Sequence, residues 1–198
     1  MDSYDVIVLG AGPPGEVAAG RCADGGLSVA VIEDRLVGGE CSFYGCIPSK
    51  TMIRPGDVVA AARRVPGAAE AVTGPVDAAA ALRQRDYMTS SLDDSGQLPW
   101  LEERGITLLR GRGRLTGELS MQVDLRSGGR QSLAASRAII VACGTVPFMP
   151  PIEGLAGAKP WDNRDATATW EVPRRLAVLG GGAIGVEMAQ AFRRLGSE

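Results

Sequence analysis

A glycine turn between a β-branched run and a helical stretch constrains this chain more than any other feature. Tyr4 to Leu9 is a short apolar run ending at Gly10, and it predicts a buried parallel strand. Gly10-Ala11-Gly12-Pro13-Pro14-Gly15 follows with G-x-G-x-x-G spacing. Pro14 to Ala23 then predicts a helix, stopped by Asp24-Gly25-Gly26, and Val29 to Ile32 predicts a second strand that ends at Glu33. Strand, glycine turn, helix and strand make a βαβ unit, which requires a parallel sheet covered by helices. The pattern begins again near the C-terminus. Leu176 to Leu179 predicts a strand and Gly180-Gly181-Gly182 a turn. Ile184 to Leu195 predicts a helix with the apolar stripe Ile184, Met188, Ala191, Phe192 and Leu195.

Each glycine of the first turn has a separate task. Gly10 allows the tight turn, Gly12 lets the backbone approach a pyrophosphate, and Gly15 lets helix and strand pack closely. The helix start offers N–H groups and the positive end of its dipole to phosphates. Pro13 and Pro14 carry no N–H, so a phosphate is expected on the N–H groups of Gly12, Gly15 and Glu16. Glu33, at the end of the second strand, is placed to accept hydrogen bonds from an adenosine ribose. Gly180, Gly182 and Gly185 repeat the spacing for a second nucleotide.

Between the two turns, a helix is expected from Cys46, with Pro48 in its first turn and a break or kink at Pro55-Gly56. Asp57 is expected to cap a continuation to Val65. A turn region over 66–76 and a helix from Val76 to about Leu92 follow, then a Ser/Asp/Gly loop. Ile106 to Arg114, Met121 to Leu125, Gln131 to Leu133 and Ala138 to Ala142 predict strands, with a hairpin at Ser127-Gly128-Gly129. The proline-rich stretch 147–160 predicts an extended linker.

Bulk properties exclude several classes. The 198 residues are 45% hydrophobic and 22% charged with a net charge of -2, which gives no nucleic-acid footprint and no polybasic membrane patch. Arg110, Arg112 and Arg114 alternate and predict a solvated strand face. The start lacks a cationic signal region, and Val6 to Leu9 is too short to span a membrane, so a cytoplasmic protein is expected. The chain has 4 cysteines and no histidine, so zinc is disfavoured and no metal site is expected.

Cys41 and Cys46 are close enough in sequence to close a small disulfide loop. A helix N-terminus and a nearby ammonium favour a thiolate over a thiol. Cys46 sits at such a start and Lys50 lies one turn on. The stretch from Gly38-Gly39 through Cys41, Cys46, Ile47, Pro48, Ser49 and Lys50 closely resembles the redox-active segment of the class I flavoprotein disulfide reductases. That family includes lipoamide dehydrogenase, glutathione reductase and mercuric reductase. Ile139-Ile140-Val141-Ala142-Cys143-Gly144-Thr145 resembles the family segment where the chain leaves the flavin domain, with Cys143 in place of a threonine.

The resemblance implies an α/β fold, with an FAD/NAD(P)-binding Rossmann-like three-layer domain and the start of a second Rossmann-like domain. The FAD-binding domain would occupy 1–148, and 149–198 would be a linker and the start of the NAD(P)-binding domain. It implies FAD at Gly10, Gly12, Gly15, Glu33, Gly39, Lys50, Ala142 and Gly144, and NAD(P)H at Gly180, Gly182 and Gly185. By the same resemblance Cys41 is the interchange thiol and Cys46 the thiol that contacts the flavin. Lys50 is the flavin-side lysine and Glu187 its partner. Electrons would pass from NAD(P)H through flavin and the Cys41–Cys46 pair to a disulfide substrate of lipoamide type, in a homodimeric parent. Glu40 replaces a usual threonine, and Ser42-Phe43-Tyr44 departs from the common pattern. Mercuric ion is therefore the runner-up substrate. A flavin- or nucleotide-binding module without disulfide chemistry is the alternative from another class. The family chain is more than twice as long and brings its catalytic histidine from a later domain, so this portion alone is expected to be inactive. Gly185, in place of alanine, leans toward NAD.

Overall fold

The computed structural model describes residues 1–198, which form two compact units. The first comprises Met1–Cys41 and Leu92–Val146, the second Ser42–Ser91 and Pro147–Glu198. This grouping differs from the sequence division at 148/149, since residues 42–91 join the C-terminal segment.

In the first unit, β1 (Asp2–Leu9), α1 (Pro13–Asp24) and β2 (Val29–Glu33) form the expected βαβ unit, with β1 and β2 parallel. Three further strands are β3 (Thr107–Gly117), β4 (Ser120–Leu125) and β5 (Arg130–Val141). The start of β3 pairs parallel with β2, and the end of β5 pairs parallel with β1, giving a four-stranded parallel sheet. The remainder of β3 and β5 flank β4 in antiparallel pairing, so both long strands pass from the parallel part into an antiparallel part and the five strands close in the order β1-β2-β3-β4-β5. Gly111 and Gly113 make the passage of β3 feasible. A Cβ on Gly111 would lie 2.3 Å from the Asp124 carbonyl oxygen, and one on Gly113 would lie 2.7 Å from Leu9 Cδ1.

Strand alternation sorts the core into two layers. Val6, Val8, Val29 and Val31 pack with Ala19 of α1 and with Leu101 of α5 (Leu98–Glu103). Ile7, Ala30 and Ile32 point the other way, onto Met121 and Val123 of β4 and Leu133 of β5. Helices, parallel sheet and antiparallel sheet thus make three layers, as the fold class predicts. Trp100 of α5 lies against α1 where Gly20 leaves room, and Arg104 stacks 5.0 Å from its ring centroid.

The second unit holds α3 (Cys46–Ala62), α4 (Ala78–Met88), α6 (Asn163–Ala168) and α7 (Ala183–Leu195). Its core joins Met52, Ala81, Leu82, Met188, Ala191, Phe192 and Leu195. Four expectations are corrected here. Of the break or kink expected at Pro55-Gly56 the break is absent, since α3 is one helix with Pro55 inside it, and Asp57 pairs with Arg194 of α7 instead of capping a second segment. Met188, Ala191, Phe192 and Leu195 are buried against α3 and α4, but Ile184, on the same face one turn before Met188, is 60% exposed. Leu176 to Leu179 forms no strand, having only Leu176 N–H to Glu198 O (3.0 Å) and Glu198 N–H to Arg174 O (2.9 Å) beside it. The helix from Val76 starts at Ala78, where Asp77 accepts from the Ala80 N–H, and it ends at Met88. In the first unit the two strands expected between Gln131 and Ala142 are the single strand β5.

Candidate functional site

The first glycine turn is built as a side-chain-free cradle. Gly10 has φ +102°, and a Cβ there would meet the Ala142 carbonyl oxygen at 2.4 Å and Cys143 Cα at 2.9 Å. Gly15 sits over the Gly10 carbonyl so closely that a Cβ would fall 1.9 Å from its oxygen. Gly39, with φ +58°, faces Gly12, and its Cβ would lie 2.6 Å from Gly12 Cα. The turn is pinned from several sides. Gly10 N–H donates to Ile32 O (2.8 Å), Ala142 N–H to Leu9 O (2.7 Å) and Gly38 N–H to Ala11 O (2.7 Å). Gly39 therefore packs on the Gly12 backbone beside the Pro13 ring, with no room for a side chain of its own, a turn that suits a pyrophosphate.

Two details refine the sequence reading. Glu16 N–H donates to Gly12 O at 2.9 Å, so it closes the first helical bond and is not free for a phosphate as the sequence suggested. Burial pushes the Glu16 carboxyl above its usual range. Glu33 is already engaged by backbone: Oε2 accepts from Ala11 N–H and Oε1 from Arg35 N–H, both at 2.7 Å. Each oxygen keeps a further lone pair for a ribose hydroxyl. Gly144, with φ +67°, follows Cys143 in the exposed segment after β5.

Asp94 escaped the sequence reading. It is almost fully buried and receives Val37 N–H at 2.6 Å and the Arg110 guanidinium at 2.6 and 2.9 Å. Burial alone would raise its pKa, but the Arg110 hydrogen bonds, the Val37 N–H and the Arg110 charge outweigh this and hold the carboxyl below its usual range. Arg110 is thus not part of a solvated face, whereas Arg112 and Arg114 are exposed. The clamp ties β3 and the 94 loop to the segment that leads into Gly38 and Gly39. No local pattern marks it, because its partners are 57 and 16 residues away.

In the second unit, Cys46 is the first residue of α3 and is exposed, while Cys41 lies on the short helix α2 (Gly39–Phe43) of the chain before it. Lys50 Nζ lies 2.5 Å from Glu187 Oε2 of α7 and 3.4 Å from Ser49 Oγ. The lysine and glutamate side chains are 61% and 39% exposed, so the pair contributes at most about 1 kcal/mol and acts chiefly to place the ammonium. The second glycine turn copies the first in backbone. Gly182 caps α7 at φ -72°, ψ 172°, against -76°, 177° for Gly12 at α1. Gly180 has φ +100°, and a Cβ on Gly185 would lie 2.8 Å from its carbonyl oxygen.

Two glycine turns of one geometry, each opening a helix, define a dinucleotide-binding α/β protein, and this one carries two cysteines, Cys41 and Cys46, close together in sequence. Residues 4–198 match the pyridine nucleotide-disulphide oxidoreductase family, and the chain belongs to it. A mercuric reductase of Staphylococcus aureus is 33% identical over 98% of this chain and 35% of its own length. Dihydrolipoyl dehydrogenase 3 of Pseudomonas aeruginosa is 36% identical over 100% of this chain and 43% of its own. In structure, the Cu(II) complex of the HOCl-induced flavoprotein disulfide reductase RclA from Escherichia coli superposes with a TM-score of 0.84 at 26% identity, covering 100% of this chain and 42% of that one. The chain spans well under half the length of these relatives.

Proposed function

We propose that this chain forms the flavin-side and dithiol portion of an oxidoreductase that carries electrons from NAD(P)H through FAD and the Cys41–Cys46 pair to a disulfide substrate of lipoamide type. The close packing of Gly39 on Gly12 carries the reading: at φ +58°, with a Cβ 2.6 Å from Gly12 Cα, Gly39 tolerates no side chain beside the helix start that would meet a pyrophosphate, and Cys41 follows two residues later. These residues suit FAD. Gly10, Gly12, Gly15 and Gly39 would hold its pyrophosphate, Glu33 its ribose, and Ala142, Gly144 and Lys50 its remaining contacts. Gly180, Gly182 and Gly185 would hold NAD(P)H. Bound FAD supplies two-electron transfer between nicotinamide and dithiol.

Once reduced, Cys41 attacks the substrate disulfide as a thiolate. The substrate S–S bond breaks, one substrate thiolate leaves and takes a proton, and a mixed disulfide forms. Cys46 then attacks Cys41 Sγ, which closes the Cys41–Cys46 disulfide and releases the second substrate thiol. Two electrons have passed to the substrate. Lys50, held by Glu187, keeps a positive charge one turn from Cys46.

Mercuric reduction is the second reading, favoured by the Staphylococcus aureus relative. A cytoplasmic homodimer completes the proposal, to be checked by fractionation and light scattering. The central test is anaerobic thiol counting on the FAD-loaded protein. Dithionite is expected to release two titratable thiols, and Cys46→Ser is expected to abolish the release. An unchanged thiol count in the wild type would overturn the dithiol assignment and leave a flavin- or nucleotide-binding module. In the full-length parent, nicotinamide oxidation driven by lipoamide rather than by Hg(II) supports the first substrate over the second.

A further inference from the structure

The loop that delivers Cys46 to α3 is gripped from the side by α6. The carbonyl oxygen of Tyr44 accepts from Asn163 Nδ2 at 3.2 Å and from Thr167 Oγ1 at 3.1 Å. Asn163 and Thr167 stand one helical turn apart, so both face the same carbonyl. Thr167 is 2% exposed, and its single hydroxyl proton is shared between Tyr44 O and Asn163 O at 2.8 Å. Tyr44 is followed by Gly45, at φ -124° and ψ -106°, and then by Cys46. Fixing the Tyr44 carbonyl fixes the peptide plane two residues before the thiol.

A helix of six residues cannot hold itself together in water. α6 is secured at both ends by other means. Asp162 and Asp165 form a reciprocal capping box at its start. At its end Arg85 of α4, 2% exposed, donates Nη1 to Thr167 O and Nη2 to Thr169 O (2.8 Å), while Nε holds Asp86 Oδ1 at 2.7 Å. A fully buried guanidinium is costly to desolvate, and this one is spent on the backbone of one short helix. What that helix presents inward is the pair of donors on Tyr44.

Resting on the dithiol reading above, we infer that Asn163, Thr167 and Arg85 are positioning residues for Cys46, and that α6 is the clamp that sets the reduction potential of the Cys41–Cys46 pair. Releasing the Tyr44 carbonyl lets the Cys46 turn sample more conformations. The thiols then close their disulfide less readily, and the potential becomes less negative. The equilibrium is the exchange of the Cys41–Cys46 disulfide with two glutathione thiols, giving two protein thiols and one glutathione disulfide.

The test is that equilibrium, read by thiol trapping in glutathione buffers on the purified FAD-loaded protein. Thr167→Val and Asn163→Ala are each expected to lower the stability of the protein disulfide about tenfold, a shift of about 30 mV. Thr167→Ser, which keeps the hydroxyl, is expected to retain the wild-type potential. In a Cys41→Ser background, the rate of Cys46 alkylation by iodoacetamide is expected to change with Thr167→Val and not with Thr167→Ser. If Thr167→Val does not fold, the half-buried Asn163 carries the same test. A wild-type potential in Asn163→Ala and Thr167→Val would overturn the inference. So would a Thr167→Ser potential equal to that of Thr167→Val, since packing alone would then explain it. Failure of the wild type to exchange with glutathione at all would overturn instead the dithiol reading on which it rests.

Discussion

Replacing Asp94 with alanine strikes the clamp that holds the approach to Gly38 and Gly39. Three N–H groups lose their acceptor: Val37 N–H at 2.6 Å and two from Arg110 at 2.6 and 2.9 Å. Val37 is 0% exposed, so its orphaned N–H has no route to water, a cost of about 1–3 kcal/mol. The Arg110 side chain is 26% exposed and keeps the Arg35 carbonyl at 3.1 Å. Its loss is therefore smaller than the 3–5 kcal/mol typical of a fully buried pair, and about 1–2 kcal/mol is reasonable. Together the substitution is expected to cost about 3 kcal/mol. With a urea slope of about 2 kcal/mol/M, the midpoint falls by about 1.5 M. Asp94→Asn keeps an acceptor for Val37 and loses the charge, so it is expected to fall about half as far. The pH dependence has a definite sign. The folded pKa of Asp94 is depressed, so its stabilisation is complete above the unfolded carboxylate value of about 3.9 and is lost as pH falls through the folded value. Urea unfolding followed by circular dichroism at pH 7 and below pH 4 measures both effects. A midpoint shift below about 0.3 M for Asp94→Ala would refute the reasoning.

Gly39→Ala is expected to fold but to bind FAD weakly, because a Cβ 2.6 Å from Gly12 Cα at φ +58° costs about 1–3 kcal/mol and sits in the phosphate approach. Fluorescence titration with FAD checks this, and wild-type affinity would remove the cradle assignment. Glu33→Ala strips acceptors from the Ala11 and Arg35 N–H groups as well as from a ribose, so FAD affinity is expected to fall at least tenfold. Unchanged affinity by the same titration would refute that role. Hydrogen bonds from the Ser28 N–H and hydroxyl, with Ser136 and Arg137, lower the Asp5 pKa to about 2. Its contribution is full above about pH 3.9 and fades as pH falls toward the folded value, so Asp5→Asn is expected to flatten the loss of urea stability between about pH 4 and pH 2.

What could be read in advance was whatever a local pattern specifies. The β1–α1–β2 unit, both glycine turns and the helical course of α7 follow from periodicity and from glycines at positions that tolerate no Cβ. Features imposed by distant neighbours were illegible. Pro55 marks a break by local rules, yet α3 runs through it, because Met52 and Gly56 are buried, Met52 in a core shared with α7. A Cβ on Gly56 would lie 2.5 Å from Arg194 Cδ, and Arg194 pairs with Asp57, the residue expected to cap. Ala134 to Arg137 has little strand propensity, but Leu133 to Ala135 pairs with β1 and Leu133 and Ala134 with β4, and this joins two expected strands into one. The converse holds at Leu176 to Leu179, whose composition suits a strand. A strand is made by its neighbours, and this stretch has only Glu198 beside it. α6 was missed altogether. Its start carries a local mark that the sequence reading passed over, the capping box of Asp162 and Asp165. Its end carries none, because the donors that finish it belong to Arg85, 82 and 84 residues away. The same division runs through the site. The turn proposed to hold FAD is written in Gly10, Gly12 and Gly15, whereas the contacts on the Tyr44 carbonyl and the Val37 N–H come from Thr167, Asn163 and Asp94, which no motif connects.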